Sequence, residues 1–182
     1  MIKATDIDIV CKDILKGEKI MMITDHIKVT IINSIIDSFQ HFNMRIGDAC
    51  AYTSYLTRDL LKEKYNVDSQ LAAGELYFAP PLNIAYLWKP KREFHMWVKL
   101  NGEIIDIAAG GLRQREEFKP GGKYYKYRNE KFFPIWDNPI EVNRIYREIE
   151  GGVKQIDSPV DAEDYKELYK YASNLIDARN YR

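Results

Sequence analysis

At 182 residues the chain has the length of one well-buried domain and is short for two. Its 46% hydrophobic and 30% charged residues describe a globular chain rather than a disordered one. Lys+Arg and Asp+Glu balance at 27 each, which argues against a nucleic-acid or anionic-membrane partner, and the run Lys89-Pro90-Lys91-Arg92 is too short to reverse that.

Met1 to Asp6 lacks the basic and then apolar pattern of a signal peptide, and no apolar run approaches the roughly 20 residues that span a bilayer. The expectation is a cytoplasmic setting, with export by a route that needs no signal left open. Ile7, Ile9, Val10, Ile14 and Leu15 suggest a short first helix ending near Gly17, followed by the apolar run Met21-Met22-Ile23. From Asp25, read as an N-cap, Ile27, Ile31, Ile35 and Phe39 recur every four residues, and Ile32 and Ile36 widen the stripe. This predicts a helix packed into the core, with His26 and His41 as surface or helix-end residues.

Asn43 to Gly47 reads as a loop. Asp48 is the expected N-cap of a second helix, placing Ala49 and Cys50 in its first turn and Tyr52, Tyr55, Leu56, Leu60 and Leu61 on its apolar face. Asn66 is the expected left-handed terminator. Leu71 to Phe78 reads as a strand with a bulge at Gly74, stopped by Pro80-Pro81, and 82–92 as an apolar connection that is tucked down or contacts something.

Phe94 to Leu100 and Glu103 to Ala108 flank Asn101-Gly102, a strong two-residue hairpin signal because both residues tolerate positive φ. In that hairpin Leu100 lies opposite Glu103 and Trp97 opposite Asp106. His95 shares a face with Trp97, so His95 and Asp106 become diagonal neighbours on one face. Gly110-Gly111 breaks the sheet. Further strands are expected near 123–128 and 141–147, then a loop at Gly151-Gly152 and a final helix from about Asp161 to Arg179. Its inner face would hold Tyr165, Leu168, Tyr169, Ala172 and Ile176. The thirteen tyrosines read as a core with wet edges before they read as a groove.

Two cysteines, Cys11 and Cys50, do not make a disulfide framework, although a bridge between them can be drawn. No CxxC motif or Cys/His cluster points to zinc, so neither a metal nor another cofactor is expected. A free thiol, with a pKa of about 8.5, is a poor nucleophile until ionised. At a helix start it meets unpaired N–H groups and the positive end of the macrodipole. A neighbouring imidazole adds to this by holding a thiolate–imidazolium pair, and a carboxylate orients that imidazole. Cys50, His95 and Asp106 fit these roles, and the Cys50 N–H is a natural oxyanion donor. Taken singly, each reads as an inert thiol, a satisfied core histidine and a polar residue on a wet sheet face. Their joint placement is what suggests catalysis.

Cys50 at a helix start, Ser54 with Leu60 and Leu61 on that helix, His95-Met96-Trp97-Val98 and Gly102-Glu103-Ile104-Ile105-Asp106 together resemble the transglutaminase-like superfamily. The likeness covers roughly 45–108 and is nearer to its compact microbial members. It implies a single α+β domain of papain-like fold, the Cys50 helix packed on an antiparallel sheet bearing His95 and Asp106. It also implies a nucleophile at Cys50, a base at His95 and an orienting acid at Asp106. Ala51 and Ile107 depart from the pattern, which often has an aromatic residue and a proline there.

The implied reaction is acyl transfer through a thioester on a peptide or protein amide, ending on water or on an amine. Papain-like enzymes use an upstream glutamine as oxyanion donor, for which Gln40 is the candidate, while Tyr52, Trp97 and Trp88 would wall the site. Arylamine N-acetyltransferases are a related alternative, but Arg45-Ile46-Gly47-Asp48-Ala49-Cys50 is one residue too long and short of a glycine. The rivals from other classes are a catalytically silent binding module and an accessory protein whose Cys50 is plain core. The oligomeric state is not readable.

Overall fold

The computed structural model describes residues 23–90, 92–140, 143–157 and 160–180. The expected first helix over 7–15 and Cys11 lie outside them. The described chain is α+β, with three long helices and an antiparallel sheet.

Helix α1, Asp25–His41, buries Ile31, Ile35 and Phe39 as its four-residue recurrence predicts, and Ile27, Ile32 and Ile36 pack at the margin. Its cap is Thr24 rather than Asp25: the Ile27 N–H donates to Thr24 Oγ1 at 3.3 Å. Helix α2, Cys50–Tyr65, ends at Asn66 in the left-handed conformation at φ 52°. Asp48 does not cap it. The chain first makes a short 3₁₀ turn over Ile46–Asp48, so the capping position falls to Ala49, which has no side-chain acceptor. The Asp48 carboxylate pairs instead with Arg45 at 3.1 Å and faces Arg115 at 3.7 Å.

Strand β1, Gln70–Phe78, is the hub of the sheet. It pairs with β2 (Ala85–Tyr86), β3 (His95–Leu100) and β6 (Arg144–Glu148), and the path continues from β3 to β4 (Glu103–Asp106) and β5 (Ile135–Asp137). Leu76 lies between Tyr86 and Tyr146, and Gly74 between His95 and Glu148. So β2 and β3 follow one another along one edge of β1, and β6 takes the other. The Gly74 bulge is absent. The ladder runs regularly through this residue, and a Cβ there would come within 2.0 Å of the Arg147 carbonyl oxygen. Close strand approach is therefore what requires glycine here.

The β3–β4 hairpin has the expected register, Leu100 opposite Glu103 and Val98 opposite Ile105, with Asn101 at φ 51° and Gly102 at φ 84° in the turn. Beyond it, 108–114 and 125–127 form 3₁₀ helices, so the strand expected near 123–128 is not one. The strand expected near 141–147 is β6, and a one-turn helix α3, Gly152–Gln155, follows it. Strand β5 was not anticipated: three residues are too few for a period to register.

Helix α4, Ala162–Asn180, buries Leu168, Ala172 and Ile176. These meet Leu56, Leu60 and Leu61 of α2, the α1 stripe, and Val98, Leu100, Ile105 and Trp136 of the sheet in one core. Each large side chain fully buried there contributes about 1.5–3 kcal/mol. Trp97, Ala72 and Ile104 pack together with Tyr146 on the other face of the sheet. Among the described residues no helix is long and apolar enough to cross a membrane.

Candidate active site

Cys50 is the first residue of α2, and no side chain caps the helix there. Its N-terminal N–H groups are thus left for whatever lies at the sulfur. The residue is 8% exposed, and its thiol points at the Phe94 carbonyl, 3.9 Å away. Cys50 belongs to a buried cluster with Ala51, Ala73, Met96, Ala108 and Ile156, against which Trp88, Phe94 and Val153 pack.

His95 opens β3 and Asp106 closes β4. The hairpin brings His95 Nε2 to 2.8 Å from Asp106 Oδ2, both residues being buried. The ring lies among three aromatic neighbours, Tyr86, Trp97 and Tyr146, each with its centroid 6.3 Å away. Their packing fixes the imidazole plane. Asp106 is held from three sides: Oδ2 also accepts from the Tyr146 hydroxyl at 2.7 Å, and Oδ1 accepts from the Ala109 N–H at 3.1 Å. A carboxylate with this many donors can orient a base without rotating.

The electrostatics follow from these contacts. Burial pushes the His95 imidazole towards neutrality, but the charge and hydrogen bond of Asp106, with a smaller contribution from Cys50, outweigh it and raise its pKa to about 10. Burial likewise pushes the Asp106 carboxyl up. His95, Arg144 and the Tyr146 hydroxyl overcome that and hold it below its ordinary value. Tyr146 is pushed well above its ordinary value by burial and by Asp106, so it stays a donor. With Nε2 given to Asp106, Nδ1 is the His95 nitrogen left for the Cys50 sulfur.

Two loops are clasped beside Cys50. A Cβ on Gly47 would lie 2.1 Å from the Gly111 carbonyl oxygen, so only glycine lets the segment before Cys50 approach the segment after Asp106 this closely. Gln114 Oε1 accepts from the Gly47 N–H at 3.2 Å, and Arg115 Nη1 donates to the Gly47 carbonyl at 3.4 Å.

Of the expected substrate walls, Trp88 packs against the cluster that holds the Cys50 sulfur, with its N–H donating to Glu75 Oε1 at 3.2 Å. Trp97 is a correction. At 1% exposure it backs the His95 ring and presents no surface to a substrate. Tyr52 is half-buried and packs edge-on to Phe39 at the main core, and its hydroxyl accepts from the Asp161 N–H at 2.8 Å, tying α2 to the start of α4. Gln40 is exposed near the end of α1, where it lines a depression of about 410 Å³ with Asn43, Met44, Arg45, Gln114 and Lys119. Gln114 is the glutamine that bonds the loop before Cys50.

Sequence reasoning missed Tyr146, Arg144 and the Gly47–Gly111 clasp. The available signal was Arg144-Ile145-Tyr146, an alternation that puts the arginine and the tyrosine on one strand face. Among the described residues no group of three or more His, Cys, Asp or Glu side chains is placed to hold a metal ion.

No protein-family model and no curated protein matches the chain. A solved crystal structure of a genomics target is similar to it at a TM-score of 0.50 and 17% identity, over 87% of this chain and 82% of that one. At that identity the likeness shows a shared α+β fold and nothing of activity.

Proposed function

We propose that the chain is a cysteine-nucleophile acyl-transfer enzyme of transglutaminase-like, papain-like type, acting on a peptide or protein amide. The observation that carries this reading is the buried His95–Asp106 contact at 2.8 Å, with the thiol of the helix-starting Cys50 directed at the carbonyl of Phe94, the residue before His95. A buried imidazole fixed by a buried carboxylate and facing a thiol is the arrangement that nucleophilic acyl transfer needs.

In this mechanism the Cys50 thiolate attacks the amide carbonyl. The oxyanion forms beside the Cys50 N–H and the uncapped first turn of α2. His95 Nδ1 gives its proton to the departing amine, leaving a thioester on Cys50. Water or a second amine then attacks that thioester, losing a proton to His95 and releasing the thiolate. Trp88 and its apolar neighbours receive the side of the substrate next to the scissile bond.

An electrophilic peptide probe tests this by intact mass. The expected outcome is a single adduct on Cys50, absent in Cys50→Ser and formed slowly in His95→Ala. Equally sluggish labelling of Cys50 and Cys11, unchanged by His95→Ala, overturns the reading. The 8% exposure of Cys50 favours one second reading, a catalytically silent binding module on the same fold. That reading expects peptide binding with no adduct.

A further inference from the structure

Arg144 is a buried charge that the acyl-transfer steps leave unused. It is 6% exposed, and its Nε and Nη1 atoms have no hydrogen-bond partner. Nη2 donates to the Phe133 carbonyl at 2.9 Å, and the guanidinium lies 4.9 Å from the Phe78 ring centroid. Burying a guanidinium with donors to spare is unfavourable unless an opposite charge is close.

The topology supplies that charge. Arg144 and Tyr146 are two apart on β6 and share a face, and the Tyr146 hydroxyl donates to Asp106. Phe133, which Arg144 grips, lies two residues before Ile135, the partner of Asp106 across β4 and β5. Two independent contacts thus bring the guanidinium to the Asp106 end of the site.

We propose that Arg144 is a positioning residue that supplies the compensating charge for the buried thiolate, and so sets the pH at which Cys50 becomes nucleophilic. This rests on the Cys50–His95–Asp106 reading of the site. In the nucleophilic state Cys50 and Asp106 are negative and His95 and Arg144 positive, so the buried set is neutral. Without Arg144 the same state carries one net negative charge out of water, and a proton on Cys50 removes it. Loss of the guanidinium therefore raises the pH at which the thiolate forms. It also raises the pH at which His95 gives up its proton, because Arg144 sits on the Asp106 side of the imidazole.

The other ionisable groups facing the site are Tyr86, stacked on His95, Tyr55 of α2 near the sulfur, and Tyr146. Arg115 and Lys123 lie over the Tyr86 ring at 4.6 and 6.0 Å. Arg115 is matched by Glu117 at 3.0 Å and Lys123 by Glu93 at 3.7 Å. Glu75 holds the Trp88 N–H. Of these, only Tyr146 feels Arg144 directly; the guanidinium lowers its pKa against burial and Asp106, so without it the hydroxyl is held still more firmly as a donor to Asp106.

The test is the rate of Cys50 alkylation by iodoacetamide against pH, in wild type, Arg144→Gln and Arg144→Lys, with folding followed by circular dichroism. Glutamine keeps a donor for the Phe133 carbonyl and drops the charge, while lysine keeps the charge. The expected result is a midpoint about one pH unit higher in Arg144→Gln, with alkylation ~10-fold slower below both midpoints, and a wild-type midpoint in Arg144→Lys. An unmoved midpoint in folded Arg144→Gln overturns the proposal, as does a Lys variant shifted as far as the Gln variant. Should Arg144→Gln not fold, Arg144→Met takes its place as the variant that drops the charge: a midpoint about a unit higher supports the role, and an unmoved one removes it. A wild-type Cys50 inert below about pH 8 defeats the triad reading itself. A reactive Cys50 with an unmoved midpoint defeats only the role of Arg144.

Discussion

His95 Nε2 and Asp106 Oδ2 meet at 2.8 Å because a two-residue turn, Asn101-Gly102, sets the register between the strands that carry them. The contact is local in sequence, eleven residues apart, and buried on both sides. Its register is therefore set locally, while its burial and the Tyr146 hydrogen bond come from distant segments, as does the docking of Cys50.

Asp106→Asn keeps the shape of the acid and removes its charge. On the proposed acyl-transfer reading, a thiolate–imidazolium pair would lose its support, and turnover of an amide substrate is expected to fall about 10³–10⁴-fold. Cys50 alkylation at pH 6 falls with it. Breaking a buried pair also destabilises the fold by about 3–5 kcal/mol, read as a lower urea midpoint. Full alkylation reactivity in folded Asp106→Asn is the outcome that speaks against the pair.

The same contact makes stability depend on pH. The His95 pKa is raised to about 10, so its stabilising share is complete below its unfolded value near 6.5 and is lost as pH climbs through about 10. Asp106 is lowered from 3.8, so its share is present above that value and is lost as pH falls through its folded one. The expected profile is a plateau from about pH 4 to 6.5, declining towards pH 10 and towards strong acid. An NMR titration of the His95 resonance checks it: His95 stays protonated at pH 8. A His95 resonance that titrates near 6.5 contradicts the profile.

Much of this arrangement was legible in the chain because it rests on short-range signals. The four-residue recurrence from Ile27 to Phe39, Asn66 at a helix end and Asn101-Gly102 each fix backbone within a few residues. Tyr146 and Arg144 were not legible as site residues. They reach Asp106 across some forty positions of chain, and Arg144-Ile145-Tyr146-Arg147-Glu148 reads by itself as a wet edge strand. Trp97 went the other way. Its place beside His95 suggested a substrate wall, whereas the sheet face it shares with Tyr146 and Ala72 is closed over it. Only packing, which has no sequence period of its own, distinguishes these cases.

Gly47→Ala tests the clasp between the two loops. An added Cβ would sit 2.1 Å from the Gly111 carbonyl oxygen, and that contact is backbone on the far side, with no rotamer to yield. The loops must separate, carrying Cys50 away from His95. Destabilisation of about 1–3 kcal/mol is expected, with a drop in Cys50 alkylation larger than the loss of folded protein explains. Gly102→Ala is a useful contrast. Nothing lies within 4 Å of its added Cβ, but φ 84° strains any other residue, so it should lower stability by about 1 kcal/mol and leave Cys50 reactivity intact.

Trp88 and Trp97 separate access from positioning. Trp88 stands at the edge of the cluster around the sulfur, so Trp88→Ala opens a path to a thiol that is 8% exposed. A bulky maleimide should then label Cys50 several-fold faster, while iodoacetamide, small enough for the native opening, changes little. Trp97 lies behind the imidazole and is 1% exposed. Trp97→Ala should destabilise by about 3–5 kcal/mol and slow both reagents alike, because it loosens the ring that holds the proton. The ratio of the two labelling rates is the readout. A raised ratio in Trp88→Ala alone places Trp88 at the entrance to the sulfur. A raised ratio in both variants, or in neither, means that neither tryptophan controls access and that the entrance lies elsewhere around Cys50.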